Sequence, residues 1–286
     1  MDDRTKYLGG TDCAAVLGLS RWKTPLIVWG EKTGMIEPED ISKKIAVRMG
    51  TKLEDAVCDL FSEETGKKVH KVNETIFHKK YPFLGANIDR KVTREDADLE
   101  AKTASEFKSD EWDGDEIPAE YLLQCHHYLG VTGRRKMYIA CLIGNSKFVW
   151  KEILRDEKLI AEIISKEVHF WKTFVEPKVM PEIVTSKDGD TLYKLFPNAV
   201  KGQEVSLPDS VNQIIESLQS LGQDKKAVEG QIKKLENELK AKIKDNEIGN
   251  TGLYKIKWLN MHIDAYKCPE KNYRRIYYSK IKQEVQ

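Results

Sequence analysis

The sequence predicts an α/β (α+β) fold that is built on a mostly antiparallel sheet. Helical and strand patterns alternate through the first 180 residues, with short breaks at glycine or proline. The segments 136–143 and 147–153 flank Gly144-Asn145, which is typical of an antiparallel strand pair. No βα unit repeats, so a wholly parallel sheet is not expected.

The remaining elements of this first part follow from residue spacing. Apolar residues recur at intervals of three and four and predict three helices: Leu53 to Gly66, Pro118 to Gly133 and Arg155 to Phe174. Alternating and β-branched segments predict strands at 69–77, 83–93 and 98–103. The polar turn at 94–97 joins the last two strands, so we expect them to lie side by side.

The second part of the chain is organised differently. Between Pro177 and Pro208 the periodic pattern disappears, and the segments 187–190 and 197–198 are typical of turns. We therefore predict a first domain over residues 1–180, a connector over 181–207 and an extension over 208–286. Heptad-like spacing of apolar residues then predicts a long helix that could bend near Gly222 and ends before Gly249.

The end of the extension is basic and aromatic. Residues 252–286 contain eight Lys or Arg against three acids. Six aromatic residues accompany them: Tyr254, Trp258, Tyr266, Tyr273, Tyr277 and Tyr278. Such a segment could bind DNA backbone and stack on bases, although a small hairpin with solvated lysines explains it equally well. The heptads could pair with another subunit or fold back on the first domain.

Composition and charge exclude several classes of protein. The 286 residues are 40% hydrophobic and 33% charged, which supports a real core and long solvated helices. The 47 Lys and Arg nearly cancel the 46 Asp and Glu, so global charge predicts no partner. Neither a membrane span nor a signal peptide is predicted. Five scattered cysteines argue against disulfides, a zinc ribbon or an iron–sulfur cluster, so a cytoplasmic protein is expected.

Three residues carry the strongest chemical signal: Asp89, Glu100 and Lys102. In a strand over 98–103, Glu100 and Lys102 project from one face, and the preceding strand can bring Asp89 alongside. Two carboxylates at one point favour a hard divalent cation such as Mg²⁺. A lysine beside them can orient an attacking water while the metal stabilises charge on a phosphate. An exposed ion pair on an edge strand is the structural alternative.

Glu54 and Gln124 could support such a site. Glu54 shares a helical face with Val57 and Phe61, so its carboxylate must be solvated, paired or bound to a metal. A favourable interaction with the helix dipole in the first turn is the competing explanation. Gln124 and Tyr128 lie one helical turn apart, and Gln124 could reach a phosphate or a water. An ordinary surface glutamine is the alternative.

The N-terminal turn Gly9-Gly10-Thr11-Asp12 could hold an anion. Glycines, a capping residue and a following helix leave backbone N–H groups free for a phosphate. Arg4, Lys6 and Arg21 could add positive charge around this turn. An ordinary capped helix explains the turn equally well. The Gly-Lys-Ser/Thr of a P-loop is missing, which leaves nucleotide hydrolysis unsupported.

Two adjacent histidines, His126 and His127, point in different directions on the predicted helix. Neither has a partner at metal-ligand spacing, so we interpret both as structural or solvent-facing. The chain has no Gly-x-Ser-x-Gly motif, and no cysteine stands out as a nucleophile.

Seven motifs follow one another over roughly residues 4–175. They are Leu8-Gly9-Gly10-Thr11-Asp12, Leu17-Gly18-Leu19-Ser20, Trp29-x-Glu31-Lys32-Thr33-Gly34, Gly50-Thr51-x-x-Glu54, Gly85-Ala86-Asn87-Ile88-Asp89, Glu100-x-Lys102 and Gln124-x-x-x-Tyr128-x-x-Val131-Thr132-Gly133. In this order they resemble the YqaJ-type viral recombinases, phage exonucleases related to lambda exonuclease within the PD-(D/E)xK nuclease superfamily. Ile88-Asp89-Arg90 departs from the Pro-Asp-Gly of the superfamily name but keeps the aspartate. Tyr254-x-x-x-Trp258 and Asp264 resemble extensions of longer family members.

The resemblance implies a PD-(D/E)xK restriction-endonuclease-like core with a central mixed sheet flanked by helices, followed by a helical C-terminal extension. The implied catalytic residues are Glu54, Asp89, Glu100, Lys102 and Gln124. The implied metal ligands are Asp89, Glu100, the carbonyl of Ala101 and Glu54. Lys102 would position the water. The candidates for holding a DNA 5′-phosphate are Arg4, Lys6, Thr11, Arg21 and Tyr128.

The resemblance also implies a reaction. We expect a Mg²⁺-dependent 5′-to-3′ exonuclease, with Mn²⁺ as a substitute and two ions per site, that resects linear duplex ends for phage-type recombination by single-strand annealing. The implied partners are double-stranded DNA ends, a single-strand annealing protein and further copies of the chain in a trimeric ring. The implied setting is the cytoplasm of a bacterium that carries a phage or prophage. A structure-selective or nicking endonuclease and a non-catalytic DNA-end-binding adaptor are the alternatives.

Overall fold

The chain divides into two compact units, Met1–Phe196 and Pro197–Gln286. A computed structural model describes residues 3–262. The α-helices of the first unit are α1 (Gly10–Val16), α2 (Pro25–Thr33), α3 (Ile45–Thr65), α4 (Ala119–Thr132), α5 (Glu157–Phe170) and α6 (Asp188–Leu195). Its strands are β1 (Leu8–Gly9), β2 (Val69–Lys71), β3 (Ile76–Phe77), β4 (Leu84–Ala86), β5 (Arg90–Val92), β6 (Ala97–Ala104), β7 (Lys136–Ile143) and β8 (Lys147–Leu154).

The first unit is organised around a five-stranded mixed sheet. Its strand order is β2-β5-β6-β7-β8, in which β6 and β7 are parallel and the other neighbours are antiparallel. β1, β4 and β3 form a second, smaller sheet in that order. α3 packs against β6 and β7, whereas α4 packs against β4 and β7. The predicted mixed sheet with flanking helices is confirmed.

β7 shows why the sheet is buried on both faces. Tyr138 and Ala140 pack with Val57 and Phe61 of α3. The intervening side chains, such as Ile139, belong to the larger cluster that contains the apolar residues of α4. A strand that is covered by helices on both faces loses the alternation of apolar and polar residues. The continuous apolar run at 136–143 therefore reflects a central strand.

Two of the predicted strands are wrong in extent, because the chain changes sheet within each of them. The segment predicted at 69–77 forms β2 in the large sheet and β3 in the small one. The segment predicted at 83–93 forms β4 in the small sheet and β5 in the large one. At the second crossing, Asn87 Nδ2 donates to Tyr7 Oη at 3.0 Å, and Asn87 Oδ1 accepts from Thr75 Oγ1 at 2.8 Å. Asp89 therefore lies where the chain passes from one sheet to the other.

The turn predicted at 187–190 is also wrong, because the helix α6 begins there. Asp188 and Thr191 are buried, and α6 packs against α2. The helix is hard to predict because it has only eight residues and begins in Asp188-Gly189-Asp190, residue types that are typical of turns. The segment 197–198 lies outside helices and strands.

The second unit contains the predicted long helix. α7 (Ser210–Ile243) continues through Gly222 and ends before Gly249, as the heptads predicted. β9 (Ile248–Asn250) and β10 (Lys255–Lys257) form an antiparallel pair after it. Tyr254 is exposed, whereas the further aromatic residues from Tyr266 onward and Asp264 lie outside the described residues. Among residues 3–262, no helix combines the length and apolar character that a membrane crossing requires.

Candidate active site

The central strand β6 supplies two side chains to a buried polar cluster. Glu100 and Lys102 lie on one face of β6, and Lys102 Nζ donates to Glu100 Oε1 at 2.6 Å. The side chains are 5% and 17% exposed, respectively. The alternative of an exposed ion pair on an edge strand is therefore wrong, because β6 has neighbours on both sides.

Asp89 reaches the same cluster from the crossing between β4 and β5. Its Oδ2 accepts a hydrogen bond from the backbone N–H of Ala101 at 2.8 Å. Burial, and then the charge of Glu100, raise the pKa of Asp89 from 3.8 to about 8. Asp89 and Glu100 are therefore close enough for the charge of one carboxylate to disfavour ionisation of the other.

The helix α4 completes the cluster with Gln124. Gln124 Nε2 donates to Glu100 Oε1 at 2.6 Å and to Tyr128 Oη at 3.0 Å. Its Oε1 accepts from Lys102 Nζ at 3.1 Å. A side-chain amide has two donors and one acceptor group, and all are engaged here. Gln124 is buried, so the alternative of an ordinary surface glutamine is wrong.

Glu54 lies beside this cluster on α3 and is paired with a residue that the sequence analysis did not single out. Arg90 Nη1 donates to Glu54 Oε1 at 2.8 Å, and the same guanidinium also contacts Asp55. Arg90 is buried, whereas the side chain of Glu54 is 28% exposed. A buried arginine needs carboxylate partners. The feature of the sequence that could have indicated a role for Arg90 is its position directly after Asp89.

The residues of this cluster fit a hard divalent cation. Within the described part of the chain, Glu100 Oε2 is buried without a hydrogen-bond partner. Burial and the charge of Glu100 raise the pKa of Asp89 although Lys102 is nearby, so a cation bound beside Asp89 would favour its ionised form. Carboxylate oxygens are the ligands that Mg²⁺ and Mn²⁺ prefer. Asp89 and Glu100 are therefore the residues that would hold such an ion.

The raised pKa of Asp89 predicts that metal affinity depends on pH. Below about pH 8 the carboxyl is protonated in the metal-free protein, and the cation must displace that proton. We expect the Mn²⁺ association constant to rise about tenfold per pH unit between pH 6 and 8 and then to level off. Titration of the purified protein with Mn²⁺ at several pH values measures this. An affinity that is constant across that range would contradict it.

The N-terminal turn packs directly against the active-site face of α4. A Cβ atom at Gly10 would lie 2.5 Å from Tyr128 Cε1 and 2.8 Å from Gln124 Cγ. The Asp12 carboxylate accepts from the Gly9 N–H at 3.0 Å and pairs with Lys32 at 2.7 Å. The contacts of Asp12 are those of a capped helix. The close approach of Gly10 to Tyr128 and Gln124 indicates a packing role for this glycine.

The five candidates for the 5′-phosphate do not all lie together. Arg4 Nη2 donates to Thr11 Oγ1 at 3.4 Å, on the turn that contacts Tyr128. Lys6 is exposed and lies 3.6 Å from Asp3. The guanidinium of Arg21 is engaged by two carboxylates, those of Glu111 and Glu120.

Gly10→Ala is expected to destabilise the first unit by about 1–3 kcal/mol, because the added methyl group overlaps two buried side chains. Urea unfolding measures the change. Gly189→Ala is the matched control, since a Cβ atom there meets nothing within 4 Å. Equal stability of the two variants would show that α1 shifts without cost.

His126 and His127 are both buried, so the interpretation as solvent-facing is wrong, whereas a structural role fits. A nitrogen of His126 contacts the Leu122 carbonyl at 3.0 Å. His127 contacts Glu167 of α5, a partner 40 positions away that helical spacing could not reveal.

The fold and the sequence both match known proteins. An alkaline exonuclease (LHK-Exo) from Laribacter hongkongensis shares the fold, with a TM-score of 0.52, 19% identity and coverage of 62% of this chain and 91% of that one. LHK-Exo in complex with dAMP gives a TM-score of 0.51 at 20% identity, with the same coverage of 62% and 91%.

The sequence is similar to that of a family domain over its first part and to that of one curated protein over nearly its whole length. The pattern of the YqaJ-like viral recombinase domain matches residues 1–135. "Uncharacterized protein YqaJ" of Bacillus subtilis (strain 168) is 37% identical over 289 residues, which cover 99% of this chain and 90% of that protein. With this identity and coverage, and with the matching fold, the chain belongs to the YqaJ-like viral recombinase family.

Proposed function

We propose that the chain is a Mg²⁺-dependent DNA exonuclease that degrades linear duplexes in the 5′-to-3′ direction. The observation that carries the proposal is the buried cluster of Asp89, Glu100, Lys102 and Gln124, in which Glu100 Oε2 has no partner among the described residues. Membership of a viral recombinase family supports it. So does the fold shared with LHK-Exo, which is an alkaline exonuclease.

Asp89 and Glu100, with the carbonyl of Ala101, would hold the metal ion. When bound, Mg²⁺ supplies Lewis-acid stabilisation of the charge that develops on the scissile phosphate and makes water easier to deprotonate. Asp89 must give up its proton for this, which its pKa of about 8 allows at mildly alkaline pH. Mn²⁺ offers the same preference for oxygen ligands and is expected to substitute.

Lys102 acts in this proposal as a hydrogen-bond donor and not as a base. Burial lowers its pKa, but the charge and hydrogen bond of Glu100 and the charge of Asp89 outweigh burial, so the pKa lies above its ordinary value. The ammonium group has three hydrogens, of which two point to Glu100 and Gln124. The third would orient the attacking water or stabilise the phosphate.

Glu54 and Gln124 play supporting parts. Gln124 fixes Glu100 and Lys102 relative to each other through two hydrogen bonds. The partly exposed carboxylate of Glu54 would support a second ion or the nucleophile, while Arg90 limits its movement. Two ions per site would stabilise both the attacking and the leaving oxygen.

Arg4 and Thr11 are the residues that we assign to the 5′-phosphate. Their side chains already contact each other, on the turn that packs against Tyr128. Arg21 is a weaker candidate because Glu111 and Glu120 neutralise its charge. Arg4→Ala is expected to weaken the preference for a 5′-phosphorylated end over a 5′-hydroxyl end.

The proposal is tested with purified protein and two DNA substrates, a linear duplex and a covalently closed circle, in Mg²⁺ or in EDTA. We expect mononucleotides from the linear DNA only, in Mg²⁺ only. Label at the 5′ end should be released first and label at the 3′ end last. Cutting of the circle would indicate an endonuclease. DNA binding without any product would indicate an adaptor.

The biological setting follows from the same proposal. A 5′-to-3′ exonuclease leaves 3′ single strands, which a single-strand annealing protein can pair during phage-type recombination. The family membership supports origin in a phage or prophage and action in the bacterial cytoplasm. A trimeric ring would keep the enzyme on its DNA, and sedimentation velocity measures whether the protein forms one.

A further inference from the structure

A second buried cluster lies one helical turn along α4 from Gln124. It consists of Cys13, His127 and Glu167, all fully buried, whose potential ligand atoms lie within 4.8 Å of one another. His127 Nδ1 lies 2.8 and 3.0 Å from the two carboxylate oxygens of Glu167. His127 Nε2 lies 3.0 Å from the backbone carbonyl oxygen of Gly85. Both ring nitrogens are engaged, so the cluster is complete without a metal ion.

The two partners of His127 determine its protonation. A carboxylate and a backbone carbonyl only accept hydrogen bonds, and an imidazole that donates from both nitrogens is an imidazolium. Burial lowers the pKa of His127, but the charge and hydrogen bond of Glu167 and the Gly85 carbonyl outweigh burial and raise it. His127 and Glu167 therefore form a buried ion pair through Nδ1. The second ring nitrogen, Nε2, remains available and donates to the Gly85 carbonyl of β4.

The hydrogen bond from His127 to Gly85 lies close in the chain to a proposed metal ligand. Gly85 lies in β4 of the small sheet, four positions before Asp89. Glu100 lies in β6 of the large sheet. Strand pairing holds Asp89 from one side only, because Arg90, the next residue, pairs with Leu99 of β6. The residues before Asp89 lie in β4, which no strand pairing joins to the large sheet among the described residues, so their position relative to Glu100 depends on other contacts.

α4 provides such contacts to both sheets. Gln124 donates to Glu100 in the large sheet, and His127, three residues later, donates to Gly85 in the small sheet. Residues three apart on a helix are neighbours and move together. The same helix therefore contacts Glu100 directly and also contacts the β4 segment that leads to Asp89.

We propose that His127, held by Glu167, is a positioning residue for the metal site: its hydrogen bond to the Gly85 carbonyl fixes the segment that delivers Asp89 against Glu100. This inference rests on the proposed function in taking Asp89 and Glu100 as metal ligands. It assigns no chemical step to His127, which does not touch the reacting atoms.

The test uses a double variant, His127→Leu/Glu167→Met, which removes the pair without leaving a buried charge. Replacing a buried ion pair by apolar residues of similar volume is often neutral for stability. We expect Mn²⁺ to bind about tenfold more weakly, the lower end of the loss seen when a direct outer-shell partner of a ligand is removed, because His127 acts on Asp89 only through the Gly85 segment. Binding is followed in the DNA-free protein through the electron paramagnetic resonance signal of free Mn²⁺.

Two further variants separate positioning from packing. His126→Leu changes the neighbouring buried histidine, which contacts the Leu122 carbonyl of its own helix and not β4. It is expected to leave Mn²⁺ affinity unchanged, whatever it does to the melting temperature. Glu167→Gln keeps a polar partner for Nδ1, so that Nε2–H can still donate to Gly85. The Glu167→Gln variant is expected to keep a Mn²⁺ affinity close to that of wild type.

The outcomes are distinct. Wild-type affinity in the folded double variant, or equal weakening in His126→Leu, would overturn the positioning role while the proposed function stands. A wild-type protein that binds Mn²⁺ but yields no product from linear DNA would refute the proposed function alone. Weaker Mn²⁺ binding in the double variant, together with nearly wild-type binding in Glu167→Gln, supports the positioning role whether or not the wild-type protein hydrolyses DNA.

Discussion

Asp89→Asn is expected to abolish DNA hydrolysis and, at the same time, to stabilise the metal-free protein at alkaline pH. Loss of activity should reach about 10³-fold or more, because a bound metal ion supplies several kcal/mol of transition-state stabilisation. Glu100→Gln should lose activity to the same extent. Both variants should lose Mn²⁺ binding, which separates this effect from loss of DNA binding.

The stability effect follows from the sign of the pKa shift. The carboxyl of Asp89 has a pKa of 3.8 ordinarily and of about 8 in the folded protein, so unfolding releases a proton between these values. The contribution of Asp89 to the stability of the metal-free protein is therefore lost as pH rises from about 4 to 8 and is absent above 8. Asparagine has no charge to bury. We expect Asp89→Asn to melt at a higher temperature than wild type at pH 9.

Asp59→Asn is the matched control, because Asp59 is an exposed carboxylate on α3. It should change neither hydrolysis nor the melting temperature at pH 9. If Asp89→Asn also melts like wild type in EDTA at pH 9, burial of the Asp89 carboxylate does not destabilise the folded protein, and the pKa of Asp89 is not raised as stated.

Lys102→Met is expected to lose hydrolysis by a similar factor, about 10³-fold, but to keep Mn²⁺ binding. The substitution removes the ammonium group that lies 2.6 Å from Glu100, so no positive charge competes with the metal ion for that carboxylate. Mn²⁺ affinity should equal or exceed that of wild type. The contrast with Asp89→Asn distinguishes a residue that acts on the phosphate or water from one that holds the metal.

Product formation at saturating Mn²⁺ measures the effect of Lys102→Met, and Lys201→Met serves as a control at an exposed lysine of the second unit. Weak Mn²⁺ binding by Lys102→Met, with activity recovered at high Mn²⁺, would indicate that the lysine only maintains the geometry of Glu100.

The central strand of the site could be predicted because its evidence is local. Glu100 and Lys102 are two residues apart, and the strand periodicity of two places them on one face whatever the rest of the chain does. The same holds for Gln124 and Tyr128, which are four apart on a helix. Short-range periodicity does not depend on which elements pair.

The position of Asp89 required information that the sequence pattern does not contain. Alternation through 83–93 is continuous, yet the chain leaves one sheet and joins another near Asn87. Contacts such as Arg90 with Glu54 and His127 with Glu167 join residues 36 and 40 positions apart. Each depends on the packing of whole elements, and a single sequence offers no periodic signal for them.

The proton that Asp89 carries in the metal-free protein has a thermodynamic consequence. Below about pH 8, loading the site is an exchange in which an arriving cation expels the proton from Asp89. The heat of metal binding must then include the ionisation enthalpy of whichever buffer takes up that proton. Calorimetry in Hepes and in Tris at pH 7 should give different heats for the same ion, whereas at pH 9 the two buffers should nearly agree.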